Sequence, residues 1–226
     1  MVQVNNEKLT LRVKFKKCGS LQYISHLDLM RVMQRAFMRA GYQLKYSEGF
    51  NPHPQISILL PLSVGCSSQC ELMDFQILGD EDISEMPARL TSVMPEGIEA
   101  LSVYETENKV RNLKYLRIGG VFEYDERDCA EMQEKLTEFF SRDSIVIEKK
   151  TKRGMGEADI APAIKEISFS VGEECIEMKA VISAQEPTLN PEHLVSALRQ
   201  KAPAIAPDFA EFERLEVFDE KMEIFR

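Results

Sequence analysis

LTLRVKFKKCGSLQYISHLDLMRVMQRAFMRAG, residues 9–41, changes its hydrophobic period part-way along, and that change decides the fold. In the first nine residues Leu11, Val13 and Phe15 alternate with Arg12, Lys14 and Lys16. A period of two is that of a half-buried strand, here with a cationic outer face. Cys18-Gly19-Ser20 ends it. Ser25 then offers an N-cap oxygen, with Asp28 three residues on as a weaker form of the capping box. From His26 to Ala40 the apolar residues fall at helical spacing: Leu27, Met30, Met33 and Phe37, widened by Leu29, Val32 and Ala36. Gly41 stands where a C-terminal cap belongs. Asp28, Arg31, Arg35 and Arg39 recur at steps of three or four and share one face.

Outward from this strand and helix the pattern continues. Gln55–Pro61 and Cys70–Leu78 read as two strands, Asp82–Met94 as a helix that Pro87 shortens or kinks, and Gly97–Tyr104 as a further strand. The order is βαββαβ, that of a ferredoxin-like module. A looser version follows: strand Leu113–Tyr124, helix Asp128–Phe140, strand Ser144–Lys149, and the polar insertion KKTKRGMGEAD. After it come a hairpin (Ile164–Val171 and Cys175–Ala184), a helix Pro191–Lys201 with Asn190 as cap, and a closing strand Phe212–Phe218. The expectation is an α+β protein of two tandem ferredoxin-like modules, residues 1–107 and 108–226, the second carrying the basic insertion near 149–158.

Composition bounds the function. Of 226 residues, 44% are hydrophobic and 29% charged, the balance of a globular chain. No apolar run approaches the ~20 residues a membrane span needs, and Met1 to Thr10 lacks the apolar core of a signal peptide. A cytoplasmic protein with no membrane association is expected. The five cysteines (Cys18, Cys66, Cys70, Cys129, Cys175) repeat no spacing. Cys66 and Cys70 lie close enough to invite a metal, but only His26, His53 and His193 could help complete a site. Reduced, mostly buried thiols with neither metal nor cofactor are the expectation. The net charge of −9 is uneven: residues 1–60 hold nine Lys/Arg, Lys8 among them, against three acids, so the rest carries −15. A basic region on an acidic chain either guides a polyanion or is a solvated face.

The loop Tyr46-Ser47-Glu48-Gly49-Phe50-Asn51-Pro52-His53-Pro54 fits neither period. Gly49 allows a positive φ, and each proline holds the residue before it extended. As a binding loop it presents Glu48, Asn51 and His53 at low entropic cost; as a plain connection it turns helix back to strand with Phe50 plugging the core. The candidate binding surface is therefore His26, Arg31, Arg35, Arg39, Tyr46, Ser47, Glu48, Gly49, Phe50, Asn51 and His53, with no catalytic residue assigned.

The run Tyr23-Ile24-Ser25-His26-Leu27-Asp28, the helix end Arg39-Ala40-Gly41, the loop Tyr46–Pro54 and Leu60-Pro61-Leu62-Ser63-Val64-Gly65 resemble the radical-SAM-linked bacterial family of unknown function. That domain is fused to, or encoded beside, a radical SAM protein. Asp159-Ile160-Ala161-Pro162 matches it more loosely. The resemblance implies a cytosolic accessory protein whose partner is a radical SAM protein, often near RNA-processing genes, and implies no catalytic residues. The closely spaced cysteine trio of a radical SAM cluster is absent here, so the cluster belongs to the partner. Two classes of function follow. In the first, the chain is a non-catalytic adaptor binding structured RNA or the partner enzyme. Arg12, Lys14, Lys16, the arginine stripe and Lys149, Lys150, Lys152 and Arg153 would meet phosphates, while Tyr23, Tyr46 and Phe50 stack on bases. In the second, it is a metal-independent endoribonuclease, similar in architecture to CRISPR-repeat-processing enzymes, with His26 or His53 as acid or base.

Overall fold

A computed structural model describes residues 10–79, 81–151 and 154–226. The expected strand start at Leu9, the polar stretch before it with Lys8, and Lys152 and Arg153 of the basic insertion lie outside the described residues. Two compact units divide the chain, Met1–Val110 with Arg226, and Arg111–Phe225.

In the first unit β1 (Leu11–Lys17) leads through a 3₁₀ turn, Gly19–Tyr23, into α1 (His26–Arg39). β2 (Ile56–Leu59), β3 (Cys66–Phe75), α2 (Met86–Thr91) and β4 (Ile98–Glu105) follow. The strands lie in the order β4-β1-β3-β2 with every pairing antiparallel. α1 starts as its sequence dictates: the Ser25 hydroxyl accepts from Asp28 N–H at 3.2 Å, capping one of the amides a helix start leaves without a partner. It ends in a Schellman motif, with Tyr42 N–H donating to Phe37 O at 2.9 Å and Gly41 N–H to Met38 O at 3.1 Å. Gly41 takes φ +81°, the left-handed region that favours glycine, and a Cβ there would displace the tip of the Arg89 side chain, 2.7 Å away at Nη2. Leu29, Met33, Ala36 and Phe37 bury against Leu11, Val13, Phe15, Met73 and Phe75. Leu27, expected in the buried stripe, is exposed because it lies on the helix face opposite the buried Leu29, Met33 and Phe37. α2 is half the expected length, and Pro87 sits at its start, where a missing N–H costs nothing.

The cationic outer face of β1 is not there. β1 lies between β3 and β4, and both ends are covered: Arg12 is 1% exposed and Lys17 2%. Arg12 makes a bidentate pair with Asp74 (2.6 and 3.0 Å) and donates to the Asn108 carbonyl at 3.2 Å. Lys17 Nζ donates to the carbonyls of Leu21, Gln22 and Cys66 at 3.4, 3.2 and 2.9 Å. Lys16 is ion-paired with Glu99, its neighbour on β4.

The second unit runs β5 (Leu113–Glu123), α3 (Cys129–Phe140), β6 (Val146–Thr151), β7 (Gly154–Asp159), β8 (Ile164–Val171), β9 (Cys175–Ser183), α4 (Glu192–Lys201) and β10 (Phe209–Asp219). Its main sheet has the antiparallel order β10-β5-β9-β8. The polar insertion lies in a paired hairpin, β6 with β7, from Val146↔Asp159 to Thr151↔Gly154. The core is aromatic: Phe122 meets Phe212 edge-on at 6.0 Å, and Phe140 stacks on Phe169 at 5.7 Å. Asp128 caps α3 by accepting from Glu131 N–H at 2.9 Å, and Asn190 Oδ1 accepts from Glu192 N–H at 3.1 Å at the start of α4. No helix among the described residues is long and apolar enough to cross a membrane.

Two predictions follow from these buried groups. Asp74→Ala removes the carboxylate partner of a buried guanidinium and is expected to destabilise by about 3 kcal/mol in urea melts, as broken buried ion pairs do; a loss within about 0.5 kcal/mol would show that Arg12 does not depend on the pair. In the second unit His193 Nδ1 is buried with no partner among the described residues. Burial first, then the Lys149 ammonium, hold the His193 pKa below its ordinary 6.5. The unfolded chain therefore takes up the proton more readily, so this share of stability is present above 6.5 and lost as pH falls below it. The melting temperature is expected to drop between about pH 7.5 and 5.5, and His193→Gln to flatten that drop; identical slopes would refute the assignment.

Candidate functional site

The loop after α1 is built on extended backbone. Leu44 bridges to Ile77 and Tyr46 to Pro54, while Gln55 N–H donates to Lys45 O at 2.7 Å and Lys45 N–H to Gln76 O at 2.8 Å. Ser47 closes the loop at its neck. Its amide donates to His53 O at 2.8 Å, and its hydroxyl accepts from His53 N–H at 3.1 Å and lies 2.9 Å from His53 Nδ1. Nδ1 is also 3.4 Å from the Asn51 carbonyl, and Nε2 has no partner among the described residues. Beyond this neck Glu48, Gly49, Phe50, Asn51 and Pro52 are all exposed. Gly49 has φ +125°, and a Cβ there would touch nothing within 4 Å, so the demand for glycine is conformational rather than steric.

Phe50 does not plug the core. It is 112% exposed relative to a free residue, and Tyr46 behind it is 49% exposed. A phenyl ring held wholly in water at the tip of a hydrogen-bonded loop stabilises nothing in its own chain, and it is the kind of group that anchors an interface.

The fold separates the residues read from sequence into two ends. Leu11 and Ile56 both align with Phe75, so the loop that runs into β2 lies where β1 begins. α1 instead starts after the far end of β1 and runs back for fourteen residues, about 20 Å. His26, at the first turn of α1, is therefore a helix length from Phe50 and His53. Beside it at that far end Tyr23 (61% exposed) and Val64 (60%) flank the bond from Gly65 N–H to Gln22 O. Arg31, Arg35 and Arg39 are exposed along α1, and only Arg39 reaches the last turn, on the loop's end. Arg31 pairs with Asp28 at 2.8 Å, an exposed pair of small worth. The Ser25 hydroxyl and then Arg31 hold the Asp28 carboxyl below its ordinary pKa.

One cation at the loop's end escaped the sequence reading. Arg89 of α2 lies over the Tyr42 ring at 4.7 Å and against Gly41, placing positive charge at the negative end of α1. Pro87 marks the start of α2, but Arg89 falls in its last turn only because the helix ends at Thr91, which nothing in the sequence signals. At the base of the loop a shallow hollow of about 260 Å³ is lined by Thr10, His53, Pro54, Gln55, Ile56, Ser57, Asp74, Phe75 and Gln76. Gln76 Nε2 donates to Thr10 Oγ1 at 3.2 Å, while its buried Oε1 has no partner among the described residues. Cys66 and Cys70 are buried in β3, and no three His, Cys, Asp or Glu side chains among the described residues come together as metal donors.

What this geometry defines is an α+β protein with an aromatic-tipped loop hydrogen-bonded at its neck. The chain belongs to the family described as an uncharacterized protein conserved in bacteria (DUF2344), whose model matches residues 10–191. No curated protein matches it. Among solved structures it is similar to an unknown protein from Galdieria sulphuraria, with 10% identity, 92% of this chain and 99% of that one covered, and TM-score 0.27. A second likeness is to a putative glycine cleavage system transcriptional repressor (12%, 92% and 99%, TM-score 0.25). A third is to Thermus thermophilus Cse3 bound to an RNA representing a pre-cleavage complex (14%, 91% and 98%, TM-score 0.21). At such TM-scores none of the three carries an argument.

Ser47→Ala and Phe50→Ala should separate neck from tip. Phe50→Ala is expected to leave stability within about 0.5 kcal/mol of wild type, since the ring touches nothing. Ser47→Ala is expected to speed amide exchange at His53, whose N–H it leaves without its acceptor. Unchanged exchange at His53 would show that the backbone alone holds the loop.

Proposed function

We propose that the chain is a non-catalytic cytoplasmic accessory protein of a radical SAM enzyme, built of two tandem ferredoxin-like modules, and that it docks on that enzyme through the Phe50 loop of the first module. The full exposure of Phe50 on a hydrogen-bonded loop is the observation that carries this reading. The modular reading is supported by strand order. β1-α1-β2-β3-α2-β4 with sheet order β4-β1-β3-β2 is the ferredoxin-like arrangement, and β10-β5-β9-β8 repeats it once the β6–β7 hairpin is set aside. The radical SAM partner rests on the resemblance carried by Tyr23–Asp28, Tyr46–Pro54 and Leu60–Gly65.

RNA is the second occupant to weigh, because Arg35 and Arg39 are exposed and form no ion pair among the described residues, and Arg89 adds charge at the same end of α1. A nuclease reading gains no support. His53 Nδ1 is engaged with Ser47 and Asn51, and His26 is a helix length away, so no acid–base pair converges.

The test is a pull-down from the native cell with tagged wild type, Phe50→Ala and Arg35→Glu/Arg39→Glu, followed by mass spectrometry and RNA sequencing. Retention of a radical SAM protein by wild type, cut about thirtyfold in affinity by Phe50→Ala, is expected of a ~2 kcal/mol anchor. RNA retained in its place and lost in the arginine variant would move the function to RNA binding. Equal retention by all three proteins would remove the loop from the interface.

A further inference from the structure

We propose that the β6–β7 hairpin, together with the last turn of α4, is a second binding surface, one that takes the phosphodiester backbone of a single-stranded nucleic acid. It lies on the second unit and does not rest on the Phe50 loop.

The hairpin is held far more firmly than its burial explains. Asp159 Oδ1 at its root accepts from Ile145 N–H at 2.8 Å and Ala161 N–H at 3.0 Å, and these bonds together with one from Ser144 keep the carboxylate ionised. Half-way along, the Gln200 side chain of α4 clamps the backbone of Glu148 in both directions. Its Oε1 accepts from Glu148 N–H at 2.8 Å, and its Nε2 donates to Glu148 O at 3.0 Å. An amide thus stands in for the next strand and protects the edge. Yet among the described side chains of the two strands only Ile147 is buried, and Lys150, Gly154, Met155 and Glu157 are exposed. A two-stranded ribbon is marginal alone, so a fixed ribbon with almost no core of its own is positioned for something outside the chain.

Its charge says what. Glu148 and Glu157 face each other across the ribbon, and beyond that rung residues 149–156 contain no acid. Lys149 and Lys150 follow at once, while Arg199 and Lys201 flank Gln200 on α4. None of these four forms an ion pair among the described residues, where Lys16, Arg31, Arg127 and Lys135 all do. Four unneutralised cations around one clamp, on a chain of net charge −9, repel one another until a polyanion arrives. Lys152 and Arg153 are outside the described residues and form no part of the site.

The pairing of Lys150 with Met155 narrows the ligand. An ammonium beside a 69% exposed thioether offers a phosphate contact and a polarisable apolar contact for an unpaired base. A duplex buries its base faces and doubles the phosphate density, so the acidic remainder of the chain would repel it more strongly.

The test is fluorescence anisotropy of the full-length protein with a fluorescein-labelled, roughly 20-nucleotide RNA of mixed sequence, over a range of salt. The same-sequence DNA single strand shows whether the sugar matters; binding of either strand satisfies the proposal. Each phosphate contact on a single strand contributes about −0.7 to the slope of log K against log salt, so Lys149→Ala/Lys150→Ala and Arg199→Ala/Lys201→Ala are each expected to flatten it by about 1.4. Lys150→Ala alone, at an exposed position, is expected to flatten it by about 0.7 and keeps the test open should a double variant fail to fold. Three results would overturn the proposal: no binding by wild type; a slope unchanged by these variants but abolished by Arg35→Glu/Arg39→Glu; or equally tight binding of poly-L-glutamate, which would assign the arm to an acidic protein. The Phe50→Ala result does not bear on any of them.

Discussion

Buried cations on β1 constrain the first unit more than any other feature. An ammonium or guanidinium taken from water without partners costs several kcal/mol, so both ends of the strand must deliver acceptors. At one end Lys17 gathers the carbonyls of Leu21, Gln22 and Cys66, tying the end of β1 to the turn that launches α1 and to the first residue of β3. At the other, Arg12 holds Asp74 and the Asn108 carbonyl, tying β1 to the end of β3 and to the segment after β4. A slip of one residue between β1 and β3 would turn Asp74 to the opposite face and leave Arg12 buried without its carboxylate. Register, strand order and the angle at which α1 leaves the sheet therefore hang on the same two side chains. The loop inherits its position from them, because β2 pairs with the part of β3 that Asp74 occupies.

How much of this was legible depended on whether the deciding interaction was local. The caps of α1 were legible because Ser25 and Gly41 act on amides within a few residues. Asp128, which the sequence pattern counts as the first residue of its helix, caps α3 in the same local way. The fate of Arg12, Lys14 and Lys16 was not legible: a period of two shows that one face differs from the other, but not whether that other face meets water. Asp74 is sixty-two residues from Arg12, and nothing near either residue announces the pair. The hairpin in KKTKRGMGEAD was hidden similarly, since its second partner is the side chain of Gln200, fifty-two residues away. Phe50 misled for a plainer reason, that an aromatic residue between prolines fits a core plug and an exposed anchor equally well.

Of the candidate surface, the fold keeps some residues together and parts others. Tyr46, Ser47, Glu48, Gly49, Phe50, Asn51 and His53 belong to one loop and stay together. The helix stripe does not join them as a block, because α1 points along the sheet and carries His26 to the far end. Sequence neighbours in one motif can thus serve different surfaces. The exposed Tyr23, which ends the preceding 3₁₀ turn, and Leu27 in the first turn of α1 lie near His26, while the last turn of that helix, with Arg39, borders the loop.

The charge imbalance takes on a different meaning once burial is known. The excess of cations in the first sixty residues includes Arg12 and Lys17, which are consumed by structure, and Lys16 and Arg31, which are neutralised by Glu99 and Asp28. Among the described residues, the exposed cations of that region without an ion pair are Arg35 and Arg39, while Lys14 and Lys45 are half-buried with contacts of their own, and Arg89 arrives from α2. In the acidic second half Lys150, Arg199 and Lys201 are exposed and, like the half-buried Lys149, form no ion pair among the described residues. Sequence-averaged charge favours the first half for a polyanion, whereas the exposed, unpaired cations proposed above as a phosphate surface lie in the second. That leaves the Phe50 loop, apolar at its tip and carrying Glu48, better suited to a protein pocket than to phosphates, and gives the two units separate surfaces with different chemistry.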